Sequence, residues 1–423
     1  MPLKIIIVGA GIAGLSAGIA LRQAGCKVEI FEKSHFAAEI GAALMVTSNG
    51  ARVLSHLGFS FSAARAVRAD TWRVMHGDTI KPIENGTVDL GSAERQFGVP
   101  VWSVHRVDLH NELLRLATTE KGHGRPVQIH LASEVVAASA DGFITLKDST
   151  RHTADLIVAA DGLHSVLKRV VLEQEATPPL PTGLSAFRFL IDTQALLDSD
   201  ALSATLERKG TGATLLADTK EKDIAKERHI MCSEVQNFVG IHPTREVVDD
   251  DADATKISML QEFNHFAPEV LEIMAQSSNV KRWPLFIHEP LTTWFKGRVL
   301  LIGDAAHPML PFGGQGANMA IEDGGTLGYL FKGVEDPNEI PDRLRLFELA
   351  RKSRASRVQV LSKVRASREK EVEEELRRYA DPPGSSVPTN MIERTVHDYG
   401  FDVFKKCDEV LNSYKDELVK QNM

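Results

Sequence analysis

The chain has 423 residues, 43% hydrophobic and 25% charged, the composition of an ordinary globular protein long enough for two domains. A net charge of −8 gives no sign of a nucleic-acid surface. Three isolated cysteines, Cys26, Cys232 and Cys407, form no CxxC pair, which argues against a disulfide framework or a zinc site and for a reducing compartment.

The chain opens with "LKIIIVGAGIAGLSAGIALRQAGCKVEIFEKS". The apolar run is broken by glycines at turn spacing and lacks a basic leader, so it does not read as a signal peptide. Leu3 to Val8 predicts a buried parallel strand, Leu15 to Ala24 a helix ending at Gly25, and Val28 to Phe31 a second strand closed by Glu32. Gly9, Gly11 and Gly14 form GxGxxG between strand and helix, with an acid about 20 residues on. Gly9 suits the tight turn, Gly11 lets a pyrophosphate approach the backbone, and Gly14 lets helix and strand pack closely. The helix N-terminus then faces phosphates, and Glu32 can accept from a ribose hydroxyl. Gly14-Leu15-Ser16-Ala17-Gly18 also matches GxSxG, but Ser16 falls inside the helix rather than on a strand-to-helix turn, so it is no nucleophile.

Further on, "ADLIVAADGLHSVLKR" predicts a buried strand over Leu156 to Ala159, an Asp161-Gly162 turn and a helix opening near Ser165. A strand over 299 to 302 leads into "GDAAHPMLPFGGQGANMAIED", with a helix entered near Gly316. Three strands ending in polar turns point to ligands at the carboxyl edge of one sheet. Between them, Ser185 to Ile191 and Asn237 to His242 are candidate strands, and His288 reads as a packing or surface residue. The acidic run "DDDAD", 249 to 253, lacks the glycine and glutamate of a calcium loop and reads as a solvated loop. Pro341 and Asp342 open a long helical stretch with Phe347, Val358, Leu361 and Val364 on its apolar face. "REKEVEEELRRY" pairs Glu373 with Arg377 and Glu374 with Arg378 and reads as a solvated helix. "DPPGSSVP" breaks the chain, and residues 390 to 420 predict further helices. No stretch reaches the roughly 20 apolar residues of a membrane span.

Together the three polar turns, in this order, resemble those of the single-component FAD-dependent aromatic hydroxylases, the p-hydroxybenzoate hydroxylase-like flavoprotein monooxygenases. "EIGAALMVTSNGARVLSHLG", "HRVDLHNELL" and "WPLFIHEPLTTWFKGRVLLIGDAAHPMLPFGGQGAN" are similar to the salicylate-hydroxylase-like branch. The resemblance covers roughly residues 1 to 365. It implies an α/β fold: a Rossmann-like FAD-binding domain (1–69, 101–179 and 283–340), an inserted mixed-sheet substrate domain (70–100 and 180–282), and a C-terminal helical region (341–423).

It further implies bound FAD, a visiting NADH or NADPH without a Rossmann domain of its own, and O2 as co-substrate. The activity would be hydroxylation of a small phenolic or aromatic acid, salicylate-like, through a flavin C4a-hydroperoxide. In that scheme the cofactor carries the hard chemistry, so no catalytic triad or metal is needed. Alternatives remain a polyketide phenol or hydroxypyridine acid as substrate, or a flavin-binding redox protein without turnover.

By the same resemblance FAD is held by Gly9, Gly11, Gly14, Glu32, Lys33, Gly41, Ala42, Arg106, Asp161, Gly162, Asp304, Gly314, Gly316, Ala317 and Asn318. Asp304 would take the ribityl hydroxyls, and Pro308 would lie beside the isoalloxazine. Arg188 would bind a carboxylate or phenolate, and His307 would relay a proton or simply fix its loop. Lys168 stands where the family carries an arginine, and the hairpin within 227–240 is shorter than in relatives. The protein is expected to be cytoplasmic, to bind no nucleic acid, to have no membrane span, and to be a monomer or homodimer.

Overall fold

The computed structural model describes residues 1–35, 43–173, 179–191, 211–223, 226–233, 237–245 and 252–421. Lys4–Val8 lies in the middle of a six-stranded sheet, flanked by Leu156–Ala159 and Lys27–Phe31, both parallel to it. Val299–Leu301 extends the parallel order beyond Leu156–Ala159, and Gln128–His130 beyond Lys27–Phe31. Phe295–Lys296 adds an antiparallel edge. Ile5, Ile6 and Ile7 are wholly buried, as a central parallel strand covered on both faces requires.

Two helices cover this sheet, Ile12–Gln23 and Gly316–Leu330, and they cross in close contact. A Cβ on Gly328 would stand 2.6 Å from the Ala20 Cβ, so only glycine permits the approach. The first helix begins three residues before the expected Leu15, because Gly11 already serves as its N-cap and accepts from the Leu15 N–H at 2.9 Å. The helix expected near Ser165 opens instead at Lys168 and ends at Leu172. Ser165 Oγ accepts the Lys168 N–H at 3.1 Å, so it caps the helix from outside.

A second, seven-stranded mixed sheet is ordered Ser278–Ile287, Leu180–Leu190, Asn237–Pro243, His229–Ser233, Gly212–Ala217, Thr71–His76, Pro82–Asp89. Only the Gly212–Ala217 and Thr71–His76 pair is parallel. The edge strand Ser278–Ile287 runs through position 283, across the expected boundary between the two domains. One face buries Phe187, Phe189 and Phe238 against Met259, Phe263 and Phe266 from the helical side. The other face presents Ala186, Arg188 and Val239, the alternate positions, toward the first sheet. The hairpin at 227–240 is present as two antiparallel strands, and the residues joining them, 234–236, lie outside those described. So does most of the acidic run, whose end, Ala252 and Asp253, starts the helix Ala252–Glu262.

The C-terminal part packs as helices Ile340–Leu361, Met391–Tyr399 and Val403–Gln421. Phe347, Val358, Leu361 and Val364 are buried, as the apolar face requires. The "REKEVEEELRRY" segment is not simply solvated. Glu373 and Arg377 do pair, at 2.5 Å. Glu369, however, is fully buried, and Arg368 is buried with Nη1 3.3 Å from Glu227 Oε2 and Nη2 donating to the Lys222 carbonyl at 2.6 Å. Local spacing shows the i,i+4 pair, whereas the burial depends on partners more than 140 residues away. No helix among the described residues is long and apolar enough to cross a membrane.

Candidate functional site

The glycine turn after Lys4–Val8 is shaped by contacts that a side chain would forbid. Gly9 has φ +100°, and a Cβ there would lie 2.4 Å from the Ala160 carbonyl oxygen. A Cβ on Gly14 would lie 2.0 Å from the Gly9 carbonyl oxygen, whereas one on Gly11 would meet nothing within 4 Å. The turn is therefore closed against protein at Gly9 and Gly14 and bare at Gly11. Glu32 braces it from the neighbouring strand: Ala10 N–H donates to Oε2 and Ser34 N–H to Oε1, each at 2.8 Å. His110, from the helix Arg106–Thr118, places Nε2 2.9 Å from the Ala10 carbonyl oxygen.

Gly11, Ile12 and Ala13 open onto a cavity of about 640 Å³ between the two sheets. The first-turn N–H groups of this helix have no intrahelical acceptors, so a partial positive charge faces the cavity. Gly314, Gly316 and Ala317 bring a second helix N-terminus, that of Gly316–Leu330, to the same cavity. Arg106, Gly162, Asp304 and Pro308 line it from the first sheet's side. Ala186, Arg188, Val239 and the edge-strand residues Trp283 and Phe286 line it from the second. Trp283 and Phe286 are each more than a third exposed.

Asp304 sits in the turn Gly303–Ala305, with its side chain open to the cavity but surrounded by protein on its other sides. Burial pushes its carboxyl above the ordinary value, against the pull of His307, Arg106 and Lys168. Asp161 Oδ2 accepts from the Val166 N–H at 2.9 Å, and burial raises its carboxyl too, opposed by hydrogen bonds from Ser165 and backbone N–H groups. Lys168 is buried. Loss of solvent lowers its ammonium, and Asp161 and Asp304 act in the opposite direction. The Arg188 guanidinium is lowered first by burial and then by Arg106. Arg188 thus sets one partly desolvated cation in the second sheet's wall, suited to an anionic group.

His307 does not line the cavity. It is buried, with Nε2 2.6 Å from Asp323 Oδ2 and its ring centroid 5.0 Å from that of Trp294. A proton relay to a substrate in the cavity has no geometry to support it, because the ring is turned into the core. Asn318 is also a scaffold residue. Its Oδ1 accepts from the Thr47 N–H at 3.0 Å, and its Nδ2 donates to the Met45 and Gly314 carbonyls at 3.0 and 3.2 Å. Lys33 is exposed and absent from the cavity lining. Gly41 and Ala42 lie outside the described residues.

His288, expected to be a packing or surface residue, instead lines the cavity half-buried, its imidazole lowered by burial and then by Lys168 and His164. Sequence reasoning passes over His110, for which only its place in the quoted "HRVDLHNELL" is a signal. A second cleft of about 780 Å³ opens beside Arg52, Phe97 and Phe401 and contains none of the expected site residues. Among the described residues no group of three or more metal-ligating side chains occurs.

The residues fit a flavin nucleotide. A bare glycine and two helix N-termini suit a pyrophosphate and an anionic ring, and an acceptor carboxylate stands between them. Fold and cavity define a doubly wound nucleotide-binding protein with a second, mixed sheet across the cavity. A family model described as "FAD binding domain" matches residues 2–361. The chain belongs to this family and is an FAD-dependent oxidoreductase of the monooxygenase type. Hispidin-3-hydroxylase of Neonothopanus nambi is 33% identical over 366 residues, 84% of this chain and 86% of the relative. The FAD-dependent monooxygenase cfoG of Aspergillus candidus is 30% identical over 419 residues, 97% of this chain and 96% of the relative. A solved salicylate hydroxylase substrate complex shares the fold with a TM-score of 0.71, covering 97% of this chain and 98% of that one at 24% identity.

Proposed function

We propose that the protein hydroxylates a small phenolic or aromatic acid, taking electrons from NADH or NADPH and one oxygen atom from O2. The reading rests on one observation: Asp304 and Arg188 line a single cavity from opposite sides, an acceptor on the cofactor side and a cation on the substrate side. FAD, when bound, supplies the electron transfer and oxygen activation. The chain supplies position, charge and exclusion of water.

On this reading Gly11 admits the pyrophosphate at a turn that Gly9 and Gly14 close, and Glu32 holds the turn and can still accept from a ribose hydroxyl. Asp304 accepts from the ribityl chain. Arg106 and Gly162 border the flavin, and Asp161, absent from the cavity lining, holds the turn that carries Gly162. Pro308 lies at the ring, and Gly314, Gly316 and Ala317 direct a helix N-terminus toward its pyrimidine edge. Asn318 acts indirectly, by fixing the Gly314 carbonyl. Arg188 binds the substrate's carboxylate or phenolate. His307 is left out of the catalytic set because its ring is engaged with Asp323.

The first sheet with its helices serves the cofactor, and the sheet built from 71–89 and 180–287 serves the substrate. A larger phenol is the second reading, favoured by the aromatic faces of Trp283 and Phe286 left exposed at the cavity. The relative named hispidin-3-hydroxylase supports hydroxylation as the reaction. Free Cys26 and Cys407, both buried, support a cytoplasmic setting.

The test is turnover under 18O2 with NADH or NADPH and a set of phenolic acids and larger phenols. A product carrying one 18O atom, with one nicotinamide oxidised per product, supports the proposal. Oxidation of the nicotinamide to give only hydrogen peroxide with every compound overturns it.

A further inference from the structure

The turn that presents Asp304 is held from behind by a buried carboxylate. Gly303 opens the turn at φ +58°, and its N–H donates to Asp323 Oδ2 at 2.8 Å. His307, at the other end of the turn, brings Nε2 to 2.6 Å from the same oxygen. The His307 backbone N–H also donates to the Gly303 carbonyl at 2.9 Å, so the two ends are tied to each other as well. The second Asp323 oxygen accepts from Arg351 Nε at 2.9 Å. Arg351, on the helix Ile340–Leu361, also bonds Glu322 through Nη1 and donates to the Met319 carbonyl through Nη2 at 3.2 Å. Asp323 and Arg351 have no exposed surface, and His307 has 1%. None of the three lines the cavity, so they act on a ligand there indirectly, through the turn and through the helix Gly316–Leu330 that carries Asp323.

We infer that Asp323, His307 and Arg351 are positioning residues, a buried hydrogen-bonded triad that fixes the Asp304 carboxylate toward the flavin half of FAD and gives the helix Ile340–Leu361 control over flavin affinity. This rests on the reading of Asp304 as the ribityl acceptor. Charge-assisted hydrogen bonds to one carboxylate hold both ends of a five-residue turn, so Asp304 meets its ligand without reorganising. The adenosine half of FAD is served by a different turn, Gly9 to Gly14 with Glu32, which receives no hydrogen bond from the triad.

The test measures FAD and ADP binding separately in apoprotein of wild type, Asp323→Asn, Arg351→Met, His307→Gln and Asp304→Asn, by flavin fluorescence for FAD and calorimetry for ADP. In Asp323→Asn the new amide can still accept from the Gly303 N–H but carries no charge to set against Arg351 and is a weaker acceptor for His307. We expect the FAD Kd to rise at least tenfold in Asp323→Asn and Arg351→Met, while the ADP Kd stays within twofold of wild type. His307→Gln keeps the Asp323–Arg351 pair and should raise the FAD Kd about fivefold. It carries the test if the other two fail to fold. Equal weakening of FAD and ADP in the triad variants would show general damage and overturn the proposal, as would unchanged FAD affinity. Asp304→Asn separates the two readings: if it leaves FAD affinity unchanged, the ribityl assignment fails. If it weakens FAD while the triad variants do not, only the triad fails.

Discussion

Gly14 approaches Gly9 so closely that a Cβ on it would stand 2.0 Å from the Gly9 carbonyl oxygen, while Gly11, between them, faces open space. The two glycines flanking that gap serve the protein's own packing, and the middle one serves whatever enters the cavity. Gly11→Ala has an allowed backbone, φ −72° and ψ −173°, so the apoprotein should keep its stability within about 0.5 kcal/mol. Its FAD affinity should nevertheless fall at least tenfold. Gly14→Ala should destabilise the apoprotein itself by roughly 1–3 kcal/mol or more, through overpacking. Thermal melts with and without FAD distinguish the two, and a Gly11→Ala protein that binds FAD normally would contradict the assignment of this turn.

Arg188 faces the cavity from the second sheet near Arg106, and burial with that neighbouring charge lowers its guanidinium. A desolvated cation gains most from an anionic partner. Arg188→Gln should raise KM for a carboxylate-bearing phenol on the order of tenfold to a hundredfold, the ~1.5–3 kcal/mol of a hydrogen bond to a charged group. FAD affinity should stay unchanged. Arg188→Lys should recover part of the loss, since it keeps the charge but not the fork. Steady-state kinetics on carboxylated and uncarboxylated phenols checks this: equal effects on both would mean that Arg188 does not read the carboxylate.

The parts of the site legible in the sequence are those whose chemistry is local. Gly9, Gly11, Gly14 and Glu32 sit within one strand–turn–helix–strand unit, and Asp304 closely follows a buried strand. Arg188 can be placed on a strand but not on a face, because the face depends on which alternate positions meet the aromatic layer of Phe187 and Phe189 on the helical side. The triad is not legible: Arg351 lies 28 residues from Asp323, in a helix whose arginines look solvated by spacing alone. Arg351 and Arg354 are instead buried against Glu322, Asp323 and Asp398. His307 illustrates the same limit. Its motif suggests chemistry, and only the fold shows its ring turned toward Asp323 and Trp294.

If His307 holds a turn rather than moving a proton, His307→Gln should leave the shape of the kcat–pH profile unaltered. It should cost roughly 1–3 kcal/mol in stability, from the loss of a buried bond to an ionised partner. Burial would push the Asp323 carboxyl up, but His307, Arg351 and the Gly303 N–H outweigh it and hold the group below its ordinary range. A pH–rate profile that loses one limb in His307→Gln would instead restore the relay.

His242, wholly buried and stacked on Phe187 at 4.0 Å, has its imidazole pushed down to about 4 by burial. The folded state then binds fewer protons than the unfolded state between about pH 4 and 6.5. The stability contributed by neutral His242 is present above about 6.5 and is lost progressively as pH falls toward 4. At pH 5 the loss should reach roughly 2 kcal/mol. Urea unfolding at about pH 7.5 and 5.0 measures it, and His242→Phe should show a smaller difference between the two pH values than wild type. An equal difference in both proteins would place the acid sensitivity elsewhere.

The most direct test of the central claim is the rate of flavin reduction by NADH and by NADPH, followed anaerobically in the FAD-loaded protein, with and without phenolic compounds of one and two rings. The account predicts that at least one phenol accelerates reduction tenfold or more, and that Arg188→Gln weakens the acceleration for a carboxylated one. Bound flavin whose reduction is indifferent to every phenol would contradict a phenol hydroxylase and leave a flavoprotein of another activity.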